Sequence, residues 1–130
     1  MKPRGYVALV SVLLVGAIGV VIATTLLLLG LGHSRTSFSA QQSTQARGLA
    51  NACAEDALQR VRSSNGSFTG TQSLTLPTGT CSLTVTNQGG QNRTVEATGT
   101  AGSVVRRVKI TITSINPLIV ISNWQEVASF

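Results

Sequence analysis

The sequence is poor in charged and aromatic side chains, which make up 11% and 4% of its 130 residues. It contains one histidine, His33, and four acidic residues, none of which precedes Glu55. Catalysis by side chains requires acids, bases or nucleophiles that lie close together, and these groups are scattered along the chain. We therefore expect that the protein is not an enzyme and that it binds no cofactor.

Cysteine is also scarce, since Cys53 and Cys81 are the only two thiols. A structural zinc site needs closely spaced ligands, and the sequence has neither a CxxC pair nor paired histidines, so we predict no metal site. In an exported chain two cysteines indicate one disulfide, which would close a loop of about 29 residues and contribute roughly 3 to 4 kcal/mol. Two buried reduced thiols are the alternative.

A long apolar segment follows the basic amino terminus. No side chain between Tyr6 and Gly32 carries a formal charge. At about 1.5 Å per residue this segment is long enough to cross the ~30 Å core of a membrane as a helix. It is longer than the apolar core of a cleavable secretory signal, so we expect the helix to be retained. Lys2 and Arg4 precede the helix, which places the carboxyl-terminal part outside the cytoplasm.

Two pairs of glycines interrupt the apolar segment. Gly16 and Gly19 would let another helix approach closely, but glycine is also frequent in membrane helices for other reasons, and the sequence leaves both interpretations open. Gly30 and Gly32 lie at its end, where we expect a bend or local melting because glycine is a poor helix former.

Residues 33–63 are predicted to form an amphipathic helix. Its apolar side chains recur at three- and four-residue spacing: Ala46, Leu49, Ala50, Cys53, Ala54, Ala57, Leu58 and Val61. Serine, asparagine and glycine follow Arg62 and predict an end near Ser63. No proline lies between Tyr6 and Ser63, so the apolar and amphipathic parts can form one continuous helix.

Residues 64–130 show the alternation of apolar and polar residues that is typical of strands. We predict four strands in an antiparallel meander: TQSLTL, CSLTVT, RTVEATG and SVVRRVKITIT. Their predicted inward face contains Leu74, Leu76, Cys81, Leu83, Val85, Val95, Ala97, Val104, Val108, Ile110 and Ile112. The run Leu118–Ile121 is either an edge strand or a strapped tail.

This inward face needs a cover, and the amphipathic helix is the candidate for it. Cys53 lies on the helix stripe and Cys81 on the inward face of the second strand, so a bond between them would hold the sheet against the helix. The sequence therefore predicts an α+β fold, in which a long amino-terminal helix, apolar and then amphipathic, packs on a small antiparallel sheet.

Three cations lie close together in the fourth predicted strand: Arg106, Arg107 and Lys109. Such a patch could bind DNA or another anionic surface by releasing counterions from phosphate. We favour an ordinary solvated strand face, because no aromatic side chains alternate with these charges. In that case Arg106, which falls on the apolar side, would pair with Glu96 or Glu55.

The stretch KPRGYVALVSVLLVGAIGV, together with the helix, the sheet and the cysteine pair behind it, resembles a type IV pilin or pseudopilin over the whole chain. The stretch itself is similar to the class III leader and apolar segment of that family. The resemblance implies a pilin-like fold and a leader peptide at residues 1–5, removed by a prepilin peptidase after Gly5. It also implies methylation of the new amino terminus at Tyr6 and retention of residues 6–32 as the filament core.

One position departs from the family pattern. The family's usual glutamate would fall at Val10, and in the family that carboxylate is thought to attract the amino terminus of a neighbouring subunit. Its absence resembles certain minor, tip-located pilins and pseudopilins. Assembly would then depend on packing of the apolar helix that begins at Tyr6 and contains Gly16 and Gly19.

The sequence thus predicts a structural subunit that waits in the cytoplasmic membrane and then joins an extracellular filament at the cell surface. Its expected partners are a prepilin peptidase and other pilin subunits, either copies of itself or different minor pilins. Two alternatives remain: an uncleaved single-pass anchor that displays a binding or adhesion module, and a pilin-linked subunit that takes up DNA.

Overall fold

The computed structural model describes residues 4–130, so the first three residues of the predicted leader, which include Lys2, lie outside the described part. One helix is followed by five strands, and their bounds are α1 Arg4–Ser63, β1 Gly70–Leu76, β2 Gly79–Gly89, β3 Asn92–Ala101, β4 Val104–Ser114 and β5 Val120–Val127. The strands form one sheet in the order β1-β2-β3-β4-β5, and every neighbouring pair is antiparallel. This arrangement confirms the predicted α+β fold.

The chain divides into two compact units, one that ends at Phe38 and one that begins at Ser39. The first unit is helical from Arg4 onwards, and helix α1 runs without interruption through Gly30 and Gly32. The local melting that we expected at these glycines is therefore absent from the structure. The second unit contains the rest of α1 and the whole sheet.

The core of the second unit begins with the apolar stripe of α1. Its buried residues are Ala46, Leu49, Ala50, Cys53, Ala54, Ala57 and Val61, and Leu58 is partly buried beside them. The prediction of an amphipathic stripe is confirmed. Four of the seven buried side chains are alanine, so the backbone of the helix can come close to the surface that it covers.

The sheet supplies the other half of this core. Its buried residues are Cys81, Leu83, Val85, Val95, Ala97, Ala101, Val108, Ile110 and Ile112. Leu74 and Val104 are only partly buried, and Leu76 is exposed. The prediction was therefore wrong to place Leu76 on the buried face. Leu76 is the last residue of the edge strand β1 and pairs with Gly79 across a tight turn, where the helix does not cover it.

Helix and sheet approach each other closely at Gly99 on β3. A Cβ atom there would overlap the carbonyl oxygen of Ala46 and lie 2.5 Å from the backbone nitrogen of Ala50. Any side chain at this position would push the helix away from the sheet. The helix therefore packs directly on β3, and the absence of a side chain at Gly99 makes that contact possible.

The two cysteines form a disulfide across the same contact. Cys53 and Cys81 are joined, with Cα atoms 6.1 Å apart, and both are almost completely buried. Because one belongs to α1 and the other to β2, the bond links the helix covalently to the sheet. The prediction of a disulfide that connects these two elements is confirmed.

The end of the chain forms an edge strand, which was one of the two predicted possibilities. Strand β5 begins at Val120 and continues through Trp124 to Val127, well beyond the apolar run that indicated it. It pairs with β4, and the register shifts near Ile112. The rest of the strand contains polar residues such as Asn123 and Gln125, so the alternation of apolar residues did not predict it.

We expect Gly99→Ala to lower the free energy of unfolding by about 2 kcal/mol, because the methyl group would overlap the helix backbone. The measurement is urea unfolding of the full chain in detergent micelles, followed by the fluorescence of Trp124, the single tryptophan. Gly48→Ala is the matched control. A methyl group at position 48 meets nothing within 4 Å, and the change should stabilise the helix by up to about 1 kcal/mol.

Replacement of both cysteines, Cys53→Ala with Cys81→Ala, should lower the free energy of unfolding by roughly 3 to 4 kcal/mol, because the open loop gains conformational freedom in the unfolded chain. The same unfolding measurement checks this value. A change below about 1 kcal/mol would show that packing alone holds the sheet on the helix.

Candidate functional site

The first unit presents an apolar surface that nothing in its own helix covers. The large apolar side chains from Tyr6 to Leu31 are between 54% and 72% exposed, except that Val10 is only partly exposed. Among the described residues, α1 is the one helix that is long and apolar enough to cross a membrane, by length and composition. Such a surface is unfavourable in water, so the helix requires lipid or other apolar surfaces around it.

The serine and threonine hydroxyl groups in this apolar segment are already satisfied. Ser11 donates a hydrogen bond of 2.8 Å to the carbonyl of Val7, and Thr25 donates one of 2.8 Å to the carbonyl of Val21. Thr24 bonds in the same way to carbonyls one turn earlier. None of these hydroxyl groups needs water, which makes the segment suitable for an environment without water.

No contact within the described chain explains the glycines of the apolar helix. A Cβ atom at Gly5, Gly16 or Gly19 would meet nothing within 4 Å. Each glycine in the helix interior costs about 1 kcal/mol relative to alanine. The smooth strip at Gly16 and Gly19 is therefore free to receive a neighbouring helix, and Tyr6 after Gly5 is 72% exposed.

Ion pairs connect α1 to β5. The carboxylate of Glu126 lies 3.1 Å from Arg47 and 3.0 Å from Arg106, and Arg106 also donates to the hydroxyl of Ser43. Our predicted partners for Arg106, which were Glu96 or Glu55, are wrong. The register places Glu126 opposite Val108, on the face of the sheet that carries the helix, and brings it within reach of both arginines.

The three cations of β4 do not form one patch. Arg106 lies on the face that packs against the helix, whereas Arg107 and Lys109 are on the opposite face, because side chains alternate along a strand. Lys109 lies 3.8 Å from the carboxylate of Glu96, and Arg107 donates to the carbonyl of Ala128 at 2.9 Å. Within residues 4–130, only Arg107 of the three lacks a carboxylate partner.

The face of the sheet that is turned away from the helix is rich in hydroxyl groups. Its serine and threonine residues are Thr71, Ser73, Thr75, Thr80, Ser82, Thr84, Thr86, Thr94, Thr98, Thr100 and Thr111. Some of these groups bond to each other, as Thr71 and Thr84 do at 3.0 Å. This polar surface can face solvent, unlike the apolar helix of the first unit.

Arg93 is the one charged side chain of the described residues that is buried, with 7% exposure. It makes two hydrogen bonds to the carbonyl of Gly66, at 2.8 and 3.1 Å, and donates to the carbonyls of Gly90 and Asn92 and to the side chain of Asn87. The guanidinium therefore links the turn after α1 to the β2–β3 hairpin. These acceptors satisfy the donors of its buried charge.

An open apolar groove runs between α1 and the segment that leads into β5. Its volume is about 330 Å³, and it is lined by Glu55, Leu58, Gln59, Arg62, Leu118, Ile119 and Ile121. Four of these residues are aliphatic, and the helix contributes one acidic and one basic side chain, Glu55 and Arg62. We call this feature the β5 groove.

Neither a metal centre nor a known relative points to a function. Within residues 4–130 no group of three or more histidine, cysteine or acidic side chains could hold a metal ion. No protein family, curated protein or solved structure matches the chain.

Three important residues were not identified from the sequence. Gly99 carried a weak signal, since a glycine inside a strand often marks close approach of another backbone. Arg93 and Glu126 carried none, because their roles depend on groups that are far away along the chain. The same holds for the β5 groove, which is built from two segments about 60 residues apart.

We expect Arg93→Ala to lower the free energy of unfolding by about 2 to 4 kcal/mol, because the buried carbonyl of Gly66 loses its donor. Arg93→Lys should recover only part of this loss, since one ammonium group cannot reach all four acceptors. Urea unfolding of the full chain in micelles is the measurement. Arg107→Ala serves as the control, because Arg107 is only partly buried and has no carboxylate partner within residues 4–130, and it should change the value by less than about 1 kcal/mol.

Proposed function

We propose that the protein is a structural subunit of a type IV pilus-like filament, cleaved after Gly5 and assembled through its apolar amino-terminal helix. The observation that carries this proposal is the exposed apolar surface between Tyr6 and Leu31, which has no cover in its own unit. The helix that bears it continues into a second unit with a buried core and a disulfide. That combination suits a subunit with one part in an apolar environment and one part in water.

Two environments can cover the apolar helix, one after the other. Before assembly the membrane would surround it, and after assembly the helices of neighbouring subunits would do so. Transfer from lipid to a bundle of helices gains little hydrophobic free energy, so close packing has to favour assembly. The open positions at Gly16 and Gly19 support this step, because they let helix backbones approach each other.

Val10 helps to distinguish a main repeating subunit from a minor one. Val10 cannot attract the positively charged amino terminus of a neighbour, as a carboxylate would. The subunit would therefore join a filament by helix packing and by contacts of its second unit. This is in keeping with a minor or tip subunit rather than the main repeating one.

The DNA-uptake alternative receives little support from the geometry. A DNA-binding face needs several free cations on one side, but Arg106 and Lys109 are engaged with carboxylates and lie on opposite faces of the sheet. An uncleaved membrane anchor would share the apolar helix and differs from the filament subunit in its processing. The amino terminus of the surface protein therefore separates the two functions.

We expect the chain from sheared surface filaments to begin at Tyr6 and to carry one added methyl group, as determined by mass spectrometry of the intact protein. Gly5→Leu should block trimming and remove the protein from the sheared fraction while it accumulates in the membrane. The change should leave the fold unaffected, since a side chain at Gly5 meets nothing within 4 Å.

Gly48→Leu is the matched control, because position 48 is equally open but lies far from the cleavage point. This variant should be trimmed normally. A wild-type surface protein that retains Met1, or that occurs only in membranes and never in sheared filaments, would contradict the proposal and favour an uncleaved anchor.

A further inference from the structure

The β5 groove has an apolar lining that the second unit leaves open. Leu118 is 69% exposed and Ile121 is 38% exposed, whereas Leu58 and Ile119 are partly buried at its base. The groove is lined by seven residues, four of them aliphatic. Its volume of about 330 Å³ is large enough for an aromatic side chain with its neighbours.

A carboxylate without a partner stands on the helix side of this groove. Of the four acidic residues, Asp56, Glu96 and Glu126 each form an ion pair. Glu55 is exposed and forms none with any residue that the structure describes. The groove therefore offers an apolar floor with one free negative charge near it.

The first unit presents the complementary arrangement. Arg35 is the one formally charged residue between Tyr6 and Ala46, and it forms no ion pair within residues 4–130. Phe38 follows it by three residues and is 62% exposed, and Leu31 precedes it by four and is 58% exposed. Residues at these spacings share one face of a helix, so a cation stands between two exposed apolar side chains.

We propose that the β5 groove receives the segment 31–38 of a second copy of this chain. Phe38 of that copy packs on Leu58 and Ile121, and its Arg35 pairs with Glu55. This proposal rests on the proposed function, since it names the contact between the second unit of one subunit and the helix of the next. The charge complementarity selects this occupant, because Arg35 is the single charge on the exposed helical segment.

The position of a second cation sets the direction of docking. Arg62 lies seven residues after Glu55, about 10 Å farther along the helix, at the other end of the groove. A docked Arg35 is attracted to the Glu55 end and repelled from the Arg62 end. An ion pair at the surface contributes more to register than to affinity, so the apolar contact of Phe38 provides most of the binding.

This contact joins two different surfaces of the same chain. Contacts of that kind do not close in a pair, because one copy of the pair still has a free helical segment and the other still has a free groove. They generate open-ended chains of subunits when the rotation from one copy to the next does not close into a ring. A two-fold symmetric dimer, in contrast, would use the same surface on both copies.

The test uses the full chain with Ser34→Cys and Gln59→Cys, oxidised both in intact membranes and in sheared filaments. Ser34 lies one helical turn before Phe38, and Gln59 lines the groove one turn after Glu55, so the two cysteines flank the proposed contact and leave Phe38 and Ile121 in place. We expect a ladder of cross-linked species on non-reducing gels. Either cysteine alone should give at most dimers, because a ladder requires two reactive positions in each copy. The native disulfide is almost completely buried and does not take part.

The matched control pairs Ser34→Cys with Ser82→Cys, which lies on the hydroxyl-rich face of the sheet, and it should give no ladder. Within the cross-linking pair, Arg35→Glu or Glu55→Arg should each reduce the ladder about fivefold, as expected when a surface ion pair becomes a repulsion. The two reversals together should restore it. Retention of the native disulfide on the gel checks that each variant has folded.

Normal filaments without a ladder, or a ladder that neither charge reversal reduces, would overturn the groove contact and leave the filament proposal intact. A ladder in membranes from a chain that is never trimmed and never enters filaments would support the groove contact and overturn the proposed function. Dimers without higher species would also overturn the groove contact, because they indicate a symmetric interface.

Discussion

The contact between the second half of helix α1 and strand β3 is the constraint on which the second unit depends. It is close because both surfaces lack bulk: alanines line the helix stripe and Gly99 lies under them. Interiors pack densely, so a helix that sits this near a sheet leaves no room for larger side chains at the crossing. The disulfide between Cys53 and Cys81 then joins the two layers covalently. Strands far from this contact, such as β1, are correspondingly more exposed.

The scarcity of charge makes each charged group informative. Glu126 serves two arginines at once and connects α1 with the last strand, and Arg93 fastens the turn after the helix to a hairpin. Once these roles are assigned, Glu55 and Arg35 remain among the few charges without a structural partner. A chain with so few charges has few random surface pairs, so the unpaired Glu55 beside an apolar groove is available for an intermolecular contact.

The two units have opposite requirements for their surroundings. The first exposes a continuous apolar surface whose serine and threonine hydroxyl groups bond to their own helix, whereas the second turns a hydroxyl-rich sheet face outwards. A molecule of this kind is suited to a boundary between an apolar medium and water. Membrane insertion and assembly into a filament core both meet this condition. In the proposed filament, the helices of neighbouring subunits replace the membrane as the apolar cover of this surface.

The sequence by itself determined the local features, including the apolar helix, the stripe through Cys53, the end near Ser63 and most of the strands. These follow from hydrophobic periodicity and from local turn chemistry, which depend on neighbouring residues. It also indicated the disulfide, because both cysteines fell on faces that had to meet. Only the tertiary structure decided the partner of Arg106, the acceptors of Arg93, the extent of β5 and the groove beside it. Each of these depends on groups that are distant in sequence, and the register of the strands and the closeness of the helix at Gly99 decide which of them come within reach.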